Sequence, residues 1–166
     1  LPPQTILSLD PNTRQQPLHD HEDVARRIDR MVVLADIVKV SDEDLAWLCP
    51  DEPAESVAGR WLEAGPSVVV ITRGADGSTA SARSGRLDVS VAPAQVVDTV
   101  GAGDSYMSGL ISGLHEHDLL TVERRADLRA IDQETLARLT SRAAASAAWT
   151  VSRPGAQSPS REEFSP

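Results

Sequence analysis

Asp98-Thr99-Val100-Gly101-Ala102-Gly103-Asp104 follows a run of strand-like residues and opens an amphipathic helix. The small residues at 101–103 let backbone N–H groups approach an anion, and the helix dipole adds positive potential there. Helix capping alone could explain Asp104, because a negative group at that end stabilises a helix by about 0.3–1 kcal/mol. Capping does not explain the Gly-Ala-Gly segment before it. We therefore interpret the stretch as a phosphate-binding turn that carries a candidate base.

Strand and helix patterns alternate on both sides of this turn. The patterns predict strands at 5–9, 36–40, 67–72, 78–82 and 87–91 and helices at about 20–35, after 41, at 53–64, after 103 and at 132–151. Asp10-Pro11-Asn12 is interpreted as a strand stop, and Ser41 as a helix N-cap. The uninterrupted apolar run 68–71 is typical of a strand covered on both faces, whereas 78–82 is interpreted as an edge strand. Strands separated by helices predict an α/β fold with a mainly parallel sheet, whose ligands bind at the carboxyl ends of the strands.

Composition narrows the class of protein. With 166 residues, 40% of them hydrophobic and 25% charged, the chain has the profile of one soluble globular domain. No apolar run is long enough for a membrane span, and no secretory leader pattern is present. The net charge of −9 argues against a nucleic-acid partner. The single cysteine, Cys49, cannot form an internal disulfide; it is interpreted as a packing residue and is consistent with a cytoplasmic protein.

Three other chemistries find weak support. Gly103-Asp104-Ser105 resembles the start of a GDS-type esterase motif, but no histidine follows an aspartate at the Asp-x-x-His spacing that would activate Ser105. A dinucleotide-binding Gly-x-Gly-x-x-Gly would need glycine where Tyr106 stands. The acidic and histidine-containing run 19–23 lies at a helix start and lacks a partner site for a metal.

Four segments, in chain order, resemble the PfkB carbohydrate kinases, the ribokinase-like family. They are Ala35–Asp44 (ADIVKVSDED), Ile71–Ser78 (ITRGADGS), Asp98–Ile111 (DTVGAGDSYMSGLI) and Ser152–Gln157 (SRPGAQ). The Lys-Val-Ser-Asp of the first segment is similar to the fructokinase-like branch, whereas ribokinases have Asn and Glu where this chain has Ser41 and Asp44. The resemblance covers the C-terminal half of such a kinase. The family's Gly-Gly sugar-binding signature and small β-sheet lid have no counterpart here.

The resemblance implies a three-layer α/β/α fold without the lid, with 1–157 as the ATP-binding and catalytic half. The Pro- and Ser-rich end, 158–166, is interpreted as a flexible tail. It implies that Asp104 takes the proton from a sugar hydroxyl while Gly101, Ala102 and Gly103 form an anion hole. The implied nucleotide contacts are Lys39, Ser41, Thr72, Arg73, Gly74, Gly77 and Ala143. Asp44 is expected to orient hydrated Mg²⁺, and Asp98 and Gly155 to form a potassium-binding loop.

Each segment also has a plainer interpretation. Residues 98–104 could be an ordinary strand-to-helix turn, 74–77 a hairpin turn, and 42–44 a solvated first helical turn. The predicted function is ATP-dependent phosphorylation of a sugar hydroxyl, with fructose ahead of ribose or a sugar phosphate. The alternative is an inactive or split nucleotide-binding half, whose partner would be the missing N-terminal half or a second chain. A homodimer is a further arrangement consistent with the sequence.

Overall fold

The computed structural model describes residues 5–13, 21–160 and 162–163 and has strands and helices near most of the predicted positions. The strands are β1 (Ser8–Leu9), β2 (Ile37–Ser41), β3 (Val68–Thr72), β4 (Ser78–Ala82) and β5 (Gly85–Val89). The helices are α1 (His21–Leu34), α2 (Asp42–Leu48), α3 (Ala54–Ala64), α4 (Ala102–Glu116), α5 (Arg125–Arg129) and α6 (Gln133–Val151). The sequence patterns missed α5, a five-residue helix.

The sheet is mixed, with strand order β1-β2-β3-β4-β5. The first three strands are parallel, and β4 and β5 pair antiparallel with their neighbours. The α/β class is confirmed, but the parallel part ends at β3, because one 3₁₀ turn (Gly74–Asp76) joins β3 to β4 and a short turn joins β4 to β5, where a parallel pair would need a longer crossover. The prediction of an edge strand at 78–82 is wrong, since β4 lies between two strands and all of its residues are buried.

Alternate residues of the central strands face two separate helical layers. Ile37, Val68 and Val70 pack with α4 and α6, whereas Val38, Val40, Val69 and Ile71 pack with α1, α2 and α3. Both faces of the sheet are therefore covered, which explains why the strands are apolar without alternation. The result is the three-layer α/β/α arrangement. None of the helices in the described part of the chain has the length and apolarity that crossing a membrane requires.

Helices α4 and α6 pack at very short range. A Cβ atom added to Gly109 would lie 2.9 Å from Ser146 Cβ and 3.0 Å from Ala143 Cα. Buried hydroxyls reinforce the contact, because Ser105 Oγ lies 2.9 Å from Ser146 Oγ and 2.8 Å from Thr150 Oγ1. The alanine-rich and serine-rich face of α6 thus holds the N-terminal half of α4 in place.

This close approach predicts opposite effects for the same substitution in two helices. We expect Gly109→Ala to lower the free energy of unfolding by about 1–2 kcal/mol, because the new methyl group forces α4 and α6 apart. Gly59→Ala in α3 meets nothing within 4 Å, so helix propensity should stabilise the protein by roughly 0.5–1 kcal/mol. Urea unfolding of both variants checks this. Equal effects of the two substitutions would contradict the packing argument.

The N-terminal strand is tied to the rest by a buried ion pair. Arg125 of α5 donates from Nε to Asp36 Oδ1 at 2.7 Å and from Nη2 to the Thr5 carbonyl oxygen at 2.6 Å. The other carboxylate oxygen of Asp36 accepts the Leu7 backbone N–H at 3.0 Å. Asp36, directly before β2, therefore joins the residues that precede β1 to α5, although its sequence pattern indicated only the start of a strand.

Candidate active site

A cavity of about 680 Å³ opens at the carboxyl ends of the parallel strands. Asp10 follows β1, Ser41 ends β2, Thr72 ends β3, and the first turn of α4 closes one side. The predicted site residues that line it are Lys39, Ser41, Asp44, Thr72, Gly74, Gly77, Ala102, Gly103 and Asp104. Residues from distant segments therefore meet at the edge of the sheet where the α/β prediction placed a ligand.

The N-terminus of α4 faces this cavity without a side-chain cap. Gly101 precedes the helix with a φ of 80°, and a Cβ there would lie 2.7 Å from Ala156 Cβ. Glycine is thus required at 101 for backbone conformation and for space, although Gly101 itself is not part of the cavity wall. The Ala102 N–H donates to the Thr99 carbonyl at 3.3 Å. Of the three predicted anion-hole residues, Gly103 is therefore the best placed.

Lys39 is the buried cation of the cavity. Its residue is only 4% exposed, and its Nζ donates to Asp10 Oδ2 at 2.5 Å. Nζ also lies close to the first turn of α4, since a Cβ on Gly103 would be 2.8 Å from it. The sequence patterns missed Asp10, because Asp10-Pro11-Asn12 was interpreted as a strand stop. Its position directly after a parallel strand was the signal that could have identified it.

Asp44 lines the cavity, and its carboxylate joins the segment after β1 to the end of β2. Oδ1 accepts from the Thr13 backbone N–H at 3.1 Å and from Thr13 Oγ1 at 2.6 Å. Oδ2 accepts from Ser41 Oγ at 2.8 Å, and Ser41 Oγ in turn caps α2 by accepting from the Asp44 N–H at 3.0 Å. The predicted helix cap at Ser41 is confirmed. The interpretation of 42–44 as a solvated first helical turn fits Asp42 and Glu43, which are exposed. It fits Asp44 less well, because that carboxylate is partly buried and hydrogen-bonded.

Tyr106 and Ser78 form a buried pair in the cavity wall, with 2.8 Å between their hydroxyl oxygens. Burial raises the pKa of the Tyr106 phenol to about 12, and the hydrogen bond to Ser78 offsets only part of that effect. The Tyr106 phenol keeps its proton up to a higher pH in the folded protein than in the unfolded chain. Tyr106 therefore makes its full contribution to stability below about pH 10. That contribution is lost as the pH rises from about 10 to about 12.

Tyr106 is the single tyrosine of the chain, so its ionisation can be followed by tyrosinate absorbance. We expect the folded protein to titrate at a pKa of about 12 and the urea-unfolded protein at about 10. In Ser78→Ala, which lacks the hydrogen-bond partner that lowers the pKa, the titration should move still higher. Titration of the folded protein near the unfolded value would mean that the phenol is open to solvent.

Two predicted nucleotide contacts lie elsewhere. The Arg73 side chain is directed away from the cavity, where it donates to Thr79 Oγ1 and reaches Asp88 Oδ1 at 3.4 Å. Ala143 is fully buried against Gly109 and is not part of the cavity wall. Ala144, Ala147 and Ala148 line the cavity instead. The helical period explains this correction, because Ala143 lies on the face of α6 that packs against α4.

Asp98 and Gly155 are brought together outside the cavity wall. The Gly155 N–H donates to Asp98 Oδ2 at 2.9 Å, and the Val100 N–H donates to Oδ1 at 3.0 Å. The N–H groups of Val100 and Gly155 hold the pKa of the Asp98 carboxyl below its usual value. The loop after α6 is also tied to α6 itself, because Thr150 Oγ1 donates to the Gln157 carbonyl at 2.6 Å.

The other sequence alternatives gain nothing from the structure. Ser105 is fully buried in the α4–α6 contact, so it cannot act as an exposed nucleophile. Within the described ranges, no group of three or more His, Cys, Asp or Glu residues could hold a metal ion by itself. Of the run 19–23, residues 19 and 20 lie outside the described residues, and the His21 ring contacts the Trp47 carbonyl at 2.5 Å. Cys49 is half-buried and free, and burial raises the pKa of its thiol.

Comparison with known proteins identifies the class first. A fructokinase from Xylella fastidiosa with bound ATP superposes with a TM-score of 0.79 at 26% identity, over 91% of this chain and 47% of that one. A fructokinase double mutant from Vibrio cholerae with fructose, ADP and potassium ion bound gives a TM-score of 0.73 at 26% identity, over 91% and 46%. The fold is therefore ribokinase-like.

The sequence then gives the family. The model of the pfkB family carbohydrate kinases matches residues 6–163. A fructokinase of Rhizobium leguminosarum bv. trifolii is 40% identical over 123 residues, which are 74% of this chain and 38% of that protein. This chain belongs to the pfkB family of carbohydrate kinases. It spans less than half the length of these relatives.

Proposed function

We propose that this chain is the ATP-binding and catalytic half of a sugar kinase. One observation carries the proposal. The uncapped N-terminus of helix α4, the buried ammonium of Lys39 and the exposed carboxylate of Asp104 meet in one cavity. The first two attract a polyanion such as a triphosphate. The third is an acceptor for the proton that a sugar hydroxyl must lose.

Each residue then has a separate task in phosphoryl transfer. Gly103 and its neighbouring amides bind the transferred phosphoryl group, and Lys39 neutralises part of its charge. Asp104 accepts the proton of the attacking hydroxyl, which must approach in line with the phosphorus atom. Because Asp104 directly follows Gly103, the base and the anion site share one helical turn. Thr72, Gly74 and Gly77 border the nucleotide, and α6 contributes Ala144, Ala147 and Ala148.

The cavity wall suits a magnesium ion carried by the nucleotide. Mg²⁺ prefers oxygen ligands, keeps several of its waters and is bound by one or two carboxylates together with phosphates. Asp42, Glu43 and Asp44 supply carboxylates at the cavity wall, and Asp44 would hold a hydrated ion while it keeps its bonds to Thr13 and Ser41. Bound Mg²⁺ would neutralise phosphate charge. Asp98 and Gly155 remain candidates for a potassium-binding loop.

Fructose is the first candidate acceptor. The curated relatives include fructokinases at 40% and 33% identity, over 74% and 68% of this chain. The Lys39-Val40-Ser41-Asp42 segment is similar to the fructokinase-like branch. Since the chain spans less than half of those relatives, we propose that acceptor binding needs residues beyond these 166, from a longer polypeptide or a second chain.

The test measures MgATP binding by calorimetry and ADP release with fructose, ribose, fructose 6-phosphate or no sugar. Release that depends on one sugar would support a kinase that is active as this chain and would name its acceptor. MgATP binding without sugar-dependent release would favour the inactive or split half. Absence of MgATP binding would contradict the proposal.

A further inference from the structure

We propose that Asp10 and Gly103 act together as positioning residues that hold the Lys39 ammonium at the phosphate site. The inference rests on the proposed function, because it concerns the same cavity. It adds a role for Asp10 and a different reason for glycine at 103.

Burial of Lys39 requires a partner. Lys39 lies in the centre of β2, between Val38 and Val40, which are both fully buried. An ammonium in such surroundings is costly unless it is paired with a charge and hydrogen-bonded. Asp10 provides that partner at 2.5 Å, with side-chain exposures of 6% for Lys39 and 21% for Asp10. Asp10 is thus the more open member of the pair.

The pair leaves part of the ammonium available for a ligand. A lysine ammonium has three N–H donors, and the bond to Asp10 uses one of them. Both Lys39 and Asp10 line the cavity. Lys39 can therefore donate to a bound phosphate without releasing Asp10, and the carboxylate fixes where those donors lie.

Gly103 provides the space for this arrangement. Its φ is not in the left-handed region, so backbone conformation does not require glycine here. A Cβ at 103 would lie 2.8 Å from Lys39 Nζ, a distance that real Cβ atoms essentially never show. The absent side chain lets the ammonium reach the first turn of α4. Any larger residue would push Nζ away from the helix N-terminus.

The proposal predicts that both residues act through Lys39. Affinities of the 166-residue chain for MgATP and for inorganic tripolyphosphate are measured by calorimetry up to millimolar concentrations. The variants are Asp10→Asn, Gly103→Ala, Lys39→Ala and the two double variants with Lys39→Ala. We expect Asp10→Asn and Gly103→Ala each to weaken binding by about tenfold when Lys39 is present. In the Lys39→Ala background each should change it by less than about twofold.

The outcomes separate this inference from the proposed function. If the unmodified chain binds neither compound, the proposed function fails and the inference fails with it. If it binds but the losses are equal in both backgrounds, or absent, only the inference is overturned. Circular dichroism and thermal unfolding check that each variant folds. Should Asp10→Asn not fold, Gly103→Ala still decides, because it keeps both charged groups and the backbone N–H and displaces only Nζ.

Discussion

Asp104→Ala lowers the turnover of sugar phosphorylation by 10²-fold or more, if Asp104 is the base that accepts the hydroxyl proton. General-base catalysis contributes about 10²–10⁴-fold, and no other carboxylate belongs to the first turn of α4. The KM for ATP should change little, because the carboxylate meets the acceptor hydroxyl and does not bind the nucleotide. Steady-state kinetics measure both constants, in this chain or in a longer polypeptide that contains it.

Two further variants separate basicity from helix capping. Asp104→Asn retains the shape of the side chain but not the basic oxygen, so its turnover should fall as far as that of Asp104→Ala. Ser108→Ala, one turn further along α4 and exposed, should retain full turnover. Retention of turnover in Asp104→Asn would show that Asp104 is not the base and would leave the plainer interpretation of residues 98–104, an ordinary strand-to-helix turn.

The largest expected loss of stability follows from removing the carboxylate of Asp36. Asp36→Ala removes the carboxylate that binds the Arg125 guanidinium, whose side chain is 16% exposed. It also removes the acceptor of the Leu7 N–H. Breaking a buried ion pair from one side costs about 3–5 kcal/mol. We expect a loss of about 3 kcal/mol, measured by urea unfolding, and a fall of roughly 10 °C in Tm.

The matched control is an exposed pair from the same region. Arg124 Nε lies 2.9 Å from Asp127 Oδ2, with side-chain exposures of 46% and 56%. Asp127→Ala should therefore cost less than about 1 kcal/mol, because solvent screens the pair. A similar small loss in Asp36→Ala would mean that the ion pair does not anchor the N-terminal strand to α5.

Local patterns predicted most of the elements. The cap at Ser41, the strand at 78–82 and the helix predicted after Gly103 all depend on residues within a few positions of one another. The structure has the cap and the strand there and begins the helix at Ala102. The sequence patterns did not predict helix α5, because its five residues are too few to show helical periodicity. The predicted edge position of β4 failed because alternating small residues do not reveal which strands lie beside them.

Some of the predicted site residues line the cavity and others do not. Gly103, Asp104, Lys39 and Thr72 were found through a resemblance to whole motifs, and all four line one cavity. Arg73 lies in a matching motif but is directed to the other side of the sheet, where Thr79 and Asp88 bind it. Neighbours in a strand point to opposite faces, so a motif by itself does not decide which of its side chains reaches the ligand.

The amino-acid sequence by itself determined the α/β class, the family and the turn at 98–104, because periodicity, caps and glycine spacing are local properties of the chain. Only the tertiary structure decided that Asp10 meets Lys39 across 29 positions and that Asp36 meets Arg125 across 89. It also decided that Gly103 leaves room for an ammonium. Such contacts depend on how strands and helices pack against one another, and that packing brings together residues whose local patterns carry no sign of the pairing.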